Sequence, residues 1–244
     1  MAGEGDVVPG YEDSHARVGN RLLDALPPGE LGRLRPHMEA VRLEQREPVY
    51  EAGTPIEHVY FPTTGVFSLV TTMRNGSVVE VGTVGNEGML GLQAFLDGAV
   101  MPVAAFSQVA GDSLRMDTDA FKREVGAGSR LHALLQGYTL AMLVFTAQSS
   151  ACNALHPVRQ RCARWMLLTH DRVGSDEFPL THEFLSQMLG VRRASVTEVA
   201  GSLQKQGLIS YRHGRLAVAD RAGLEASSCE CYAVIRAEFD RLLG

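Results

Sequence analysis

The chain has 244 residues, 45% of them hydrophobic and 21% charged, with a formal net charge of −5. That balance excludes wholesale disorder and collagen-like repeats, and no apolar run is long enough for a membrane span. The charge is unevenly spread: residues 1–120 hold 8 Lys/Arg against 17 Asp/Glu, whereas residues 156–215 hold 9 against 5. A polyanion partner is therefore expected for the back part alone.

Residues 1–19 mix Gly and acids without an apolar period and read as a loose tail. They carry no basic stretch followed by an apolar block, so no secretory leader is expected and the cytoplasm is the default compartment. A short helix over 20–26 stops at Pro27-Pro28, and a second follows with Leu31 and Leu34. From Val41 to Met116 the texture turns to β. Runs such as Val59–Phe61, Val66–Thr72 and Val78–Val84 are broken by Gly, Pro and Asn, and Asn75-Gly76 is a strong hairpin signal. Short strands without intervening helices predict an antiparallel roll over 20–128 rather than a βαβ enzyme.

A helix is expected over 129–155. Leu131, Leu135, Tyr138, Met142, Phe145, Ser149 and Cys152 alternate at spacings of four and three, an a/d register with Ser149 as its polar defect. Two readings stay open. The stripe, with Cys152 at its end, is a homodimer seam; or it is a core face widened by Leu134, Leu140, Leu143 and Val144. His156-Pro157 ends this helix and marks a boundary, with a further helix running from Val158 to about His170.

The segment 180–209 carries the functional signal. Thr181 is an N-cap, Phe184, Leu185, Met188 and Leu189 form one apolar face, and Gly190 supplies a left-handed corner. The next helix buries Val196, Val199 and Leu203 and shows Arg192, Arg193, Ser195, Thr197 and Glu198 at its leading end. That is the helix-turn-helix plan. Two strands around His213-Gly214 read as a wing whose Arg212 and Arg215 meet phosphates. Arg193 suits guanine, while Glu198 either accepts from a cytosine amino group or pairs with Arg193 or Arg192 to orient it; the orienting role is the expected one, because a lone carboxylate near phosphates is repelled. The DNA-facing set is thus Thr181, Arg192, Arg193, Ser195, Thr197, Glu198, Arg212 and Arg215.

A β-roll, a heptad helix, a proline break and a winged helix-turn-helix together resemble the Crp/Fnr superfamily of bacterial regulators. The most specific stretches are 59–66, 81–89 and 180–209. The resemblance implies an α+β fold with an N-terminal double-stranded β-helix (jelly-roll) sensor, a dimerisation helix and a C-terminal winged helix-turn-helix over 156–244 that ends in a helix. It further implies a homodimer on a two-fold symmetric operator, double-stranded DNA as partner, and RNA polymerase as a second partner if the protein activates. Members that bind cyclic AMP hold its phosphate with an Arg-Ser/Thr-Ala run. Here that position falls on Met101-Pro102-Val103, and a Met makes no bidentate phosphate contact, so cyclic AMP is not the expected ligand. Glu87, Gly88, Met89 and Met101 are the candidate effector contacts; Glu87 reads equally as a turn acid, and Met89, like Leu90 and Leu92, reads more readily as core than as pocket.

Oxygen-sensing members place an iron–sulfur centre on N-terminal cysteines, but this chain has none before Cys152. The four cysteines do not form a disulfide framework, and Cys229 and Cys231 have no matching pair nearby in sequence. No metal and no cofactor are therefore expected. Nucleophile-elbow, P-loop and dinucleotide motifs are missing, so catalysis has no support. The competing reading is a small-molecule-binding jelly roll, or an enzyme, whose winged helix mediates protein contacts.

Overall fold

A computed structural model of the chain describes residues 17–243. Most of the expected 1–19 tail lies outside the described residues. Two short helices, α1 (Arg21–Asp24) and α2 (Pro28–Leu34), lead into the roll. Asn20 caps the first through its side chain, and α2 begins at a proline, whose missing N–H costs nothing there.

The roll has two antiparallel sheets. One pairs β1 (Met38–Leu43), β7 (Gly111–Asp117) and β3 (His58–Pro62) in that order. The other runs β2 (Pro48–Tyr50), β6 (Ala104–Val109), β4 (Val66–Thr72) and β5 (Val78–Val84). Asn75-Gly76 forms the β4–β5 turn as expected, with Gly76 at φ 81° and Met73 N–H bonded to Ser77 O at 2.8 Å. Phe61, Phe67, Met89, Met101 and Met116 fill the space between the sheets, and α3 (Thr118–Glu124) closes one end with Phe121.

The long helix α4 (Arg130–Leu155) starts at Ser129, whose hydroxyl accepts from His132 N–H, and ends where His156 turns extended before Pro157. Beyond the break come α5 (Val158–Val173), β8 (Glu177–Pro179), α6 (His182–Leu189), α7 (Arg193–Lys205), β9 (Ile209–Arg212), β10 (Arg215–Val218), α8 (Arg221–Ala226) and α9 (Cys231–Leu243). The wing is a three-stranded sheet, β8-β10-β9, one strand more than its sequence announces.

The expected dimer stripe on α4 faces inward. Leu131, Leu135, Tyr138, Phe145 and Cys152 are buried within the chain, and only Met142 keeps partial exposure. Two neighbours cover the stripe: the roll, where Tyr138 donates to Met89 O and Gly82 lies against Phe145 and Met142, and α9, which folds back along α4 and sets Phe239 against Tyr138 and Phe145, with centroids 6.2 and 6.5 Å apart. Gly137 allows this approach, since a Cβ there would stand 2.4 Å from Leu242 Cδ1. Of the two readings of the stripe, core packing describes these six positions. Among the described residues no helix is long and apolar enough to cross a membrane.

Candidate nucleic-acid interface and sensor cavity

Local chemistry builds the helix-turn-helix. The Thr181 hydroxyl accepts from Phe184 N–H at 3.1 Å and starts α6. Gly190, at φ 62° and ψ 40°, ends it in the left-handed region that a side chain would strain. Phe184, Leu185, Met188 and Leu189 are buried below, as are Val196 and Leu203 from α7. The N-cap Arg192 and the outer face of α7, with Arg193, Thr197 and Glu198, are exposed, and Ser195 is half-buried among them.

The supporting contacts were not all legible. Arg193 is 70% exposed and its nearest carboxylate is Glu183 of α6, at 4.0 Å. Glu198 forms no ion pair with Arg192 or Arg193 among the described residues, so any orienting carboxylate here is Glu183. The Thr197 hydroxyl donates to Arg193 O at 3.1 Å and lies 3.0 Å from His182 Nδ1. His182 stacks on Tyr211 of the wing, centroids 4.5 Å apart, and its pKa is held low by burial first and by the Arg193 charge second. In the wing Arg212 is exposed and free of ion pairs among the described residues, whereas Arg215 is bonded to Glu177 of β8. The wing turn is tight, with His213 and Gly214 both at positive φ.

The proposed effector residues divide between two places. Met89 and Met101 are 1% exposed and line a cavity of about 240 Å³ with Leu90, Leu92, Val103 and, from α4, Tyr138 and Leu143. Among the described residues no charged side chain lines it. Glu87 and Gly88 do not line it. Glu87 Oε1 accepts from Arg172 Nε at 2.8 Å, a buried ion pair between the roll and α5. Gly88 lies against Tyr138, where a Cβ would come within 2.2 Å of the phenol oxygen. Glu87 is therefore neither a ligand contact of this cavity nor a free turn acid.

A second link joins roll and α5. Glu80 accepts from Trp165 Nε1 at 2.7 Å and lies 2.7 Å from the Ser68 hydroxyl. Burial pushes its carboxyl up to about 7 against the opposing pull of those contacts.

The expectation of no metal and no cofactor is corrected here. Cys152, His156, Cys229 and Cys231 bring four ligand-type atoms within 4.8 Å of one another. Sequence reasoning found no partner for Cys229 and Cys231 because the partners sit some 75 residues earlier, at the end of α4.

The family description "cyclic nucleotide-binding domain" matches residues 40–126, and "Crp-like helix-turn-helix domain" matches residues 160–227. The chain belongs to the Crp/Fnr family of transcription regulators. Among solved structures it resembles FixK2 from Bradyrhizobium japonicum (16% identity, TM-score 0.67, covering 79% of this chain and 98% of that one). It also resembles TTHB099, a CRP-family transcriptional regulator from Thermus thermophilus (20%, 0.63, 77% and 96%). A third is the c-di-GMP responsive global regulator CLP of Xanthomonas campestris (17%, 0.60, 79% and 99%). At these identities the likeness is one of fold. No curated protein matches the chain. The Crp/Fnr assignment accounts for the roll, the long helix and the winged helix-turn-helix in one chain.

Proposed function

We propose that this Crp/Fnr regulator acts as a homodimer on a two-fold symmetric DNA site, with the sensor over 20–128, the assembly helix over 129–155 and the reader over 156–244. The observation that carries the reading is the row of exposed Arg192, Arg193, Thr197 and Glu198, with half-buried Ser195, at the leading end of a helix whose opposite face is buried. Such a helix end presents donors to base edges in the major groove, and a free Arg212 in the wing reaches phosphate. RNA polymerase is the expected second partner if the protein activates.

The roll's cavity supports an apolar effector. It is lined by Met, Leu and Val, with no cation among the described residues to pair a phosphate, which disfavours a cyclic nucleotide there. Leu143 of α4 lines the cavity and is itself 63% exposed, so occupancy of the cavity bears on the face through which a second copy would attach.

Binding-site selection with two variants tests the DNA reading. Arg193→Ala should cost about 1–3 kcal/mol on the selected site and flatten preference at one base per half-site. Arg212→Ala should weaken all sequences alike and lower the salt slope by about one unit. An unchanged motif for Arg193→Ala, or no salt-dependent binding by the wild type, would overturn the assignment.

A further inference from the structure

The last turn of α4, the hinge residue after it and the entry to α9 converge on one buried spot. Cys152 Sγ lies 3.5 Å from Cys229 Sγ, and Cys231 Sγ lies 3.4 Å from His156 Nδ1. A tetrahedral ion with bonds of about 2.3 Å to sulfur and about 2.0 Å to nitrogen sets its ligands roughly 3.5–3.8 Å apart. We propose that Cys152, His156, Cys229 and Cys231 hold a single thiophilic divalent ion of the zinc class, in a closed Cys3His centre that staples α9 to the end of α4.

Three features of the surroundings agree with an ion here. His156 turns its Nε2 to Glu230 Oε1 at 3.3 Å, which leaves Nδ1 for the cluster. A carboxylate on the far nitrogen is the usual device for fixing the ring of a ligating histidine. Gln148 Nε2 donates to Cys231 Sγ at 3.1 Å, a contact that suits a sulfur carrying negative charge.

The third feature is charge. Arg161 and Arg164 of α5 are 9% and 5% exposed and interact electrostatically with Cys152; Arg164 also acts on the Glu80 carboxyl, but neither makes an ion pair among the described residues. Arg164 Nε is buried without a partner. A buried cation without a counter-charge is costly. Three thiolates around a divalent ion carry one net negative charge and supply it. On binding, each thiol releases its proton to solvent as its sulfur bonds the ion, and nothing is oxidised or reduced.

The spacing selects the kind of centre. An iron–sulfur cluster interposes irons and sulfides between its cysteines and needs them further apart than these four lie. A Cys152–Cys229 disulfide would need an oxidant and would leave the His156, Glu230 and Gln148 arrangement without a purpose. Four protein ligands also leave no open position, so the centre is structural rather than catalytic. Its place beside Pro157 means that it would fix the junction between the long helix and the DNA-reading half.

The test is elemental analysis of the full chain purified under reductant, followed by replacement of the ion with Co2+. The expected result is one zinc per chain and, after exchange, the strong visible absorption of tetrahedral cobalt with a thiolate-to-cobalt charge-transfer band. Cys152→Ser and Cys229→Ser should lose both signals, while Cys162→Ser, outside the cluster, keeps them. Added Zn2+ should raise the Tm of stripped wild type and slow amide exchange across 226–243. Because the wild-type stoichiometry does not depend on any variant folding, folded protein without bound metal and without a cobalt spectrum would overturn the proposal. Iron–sulfur absorption, or a Cys152–Cys229 disulfide in metal-free protein, would overturn it equally.

Discussion

Arg172 and Glu87 are 5% and 6% exposed at their side chains and 2.8 Å apart, and among the described residues each is the other's only ion-pair partner. The guanidinium is further committed: it donates to Leu168 O at 2.9 Å and lies 5.9 Å from the Phe239 ring centre. Gly85 is the space that admits it, since a Cβ there would stand 2.6 Å from Arg172 Cγ. Removing one partner strands a buried charge, which costs on the order of 3–5 kcal/mol, whereas replacing both with apolar groups is far less harmful. Arg172→Met should therefore lower the urea midpoint sharply, and Glu87→Met/Arg172→Met should recover most of the loss. Equal destabilisation by the single and double variants would show that the pair is not coupled. Nothing near Glu87 in sequence announces this role, because its partner lies 85 residues further on. By contrast Thr181, Gly190 and Gly76 were legible, because a cap or a left-handed turn is decided within a few residues of itself.

At the scale of elements, β5 meets α5 through a chain of polar groups that fixes a proton. Ser68 Oγ lies 2.7 Å from Glu80 Oε2 and 2.9 Å from Gln108 Oε1, and Gln108 Nε2 donates to Thr169 Oγ1 at 3.0 Å. The single Ser68 hydroxyl proton cannot serve both acceptors. A protonated Glu80 resolves this by donating to Ser68, which then donates to Gln108. Burial favours the same neutral form and raises the Glu80 carboxyl from its ordinary value of 4.5 to about 7, with Arg164 and Arg172 pulling the other way. A raised acid stabilises the folded state below its unfolded value, and that contribution is lost as pH rises through about 7. The span corresponds to at most about 3 kcal/mol. Urea unfolding at pH 5 and pH 8 should show the wild type losing stability relative to Glu80→Gln, which stays neutral throughout. A pH-independent difference between the two proteins would refute it. The helix-turn-helix pattern was readable because its apolar faces repeat at short range. Strand β8 and the docking of α9 were not, since three residues carry no periodicity and a helix does not name the surface it packs against.

For the whole molecule, the heptad on α4 teaches what a periodic stripe can and cannot say. The spacing of Leu131, Leu135, Tyr138, Met142, Phe145 and Cys152 marks an apolar seam, but the chain's own roll and α9, about 90 residues away in sequence, take it up. A second stripe lies on the opposite side. Gln136, Leu140, Leu143, Ala147, Ser150 and Ala154 are all exposed and follow the same alternation of four and three, with small residues toward the C-terminal end that allow close helix approach. Leu140 and Leu143 are 49% and 63% exposed, a poor place for leucine on a helix that stays solvated. The proposed homodimer therefore joins through this outer stripe. Burying one leucine is worth roughly 1.5–3 kcal/mol, so two from each copy supply on the order of 6 kcal/mol, about four decades in Kd. Leu140→Glu/Leu143→Glu should convert a dimer to a folded monomer in light scattering at micromolar concentration, with far-UV circular dichroism unchanged. Phe145→Glu, by contrast, buries a charge against Phe239 and should unfold the chain rather than separate it. A wild type that is monomeric at that concentration, or a double variant that stays dimeric, would rule out the outer stripe as the seam.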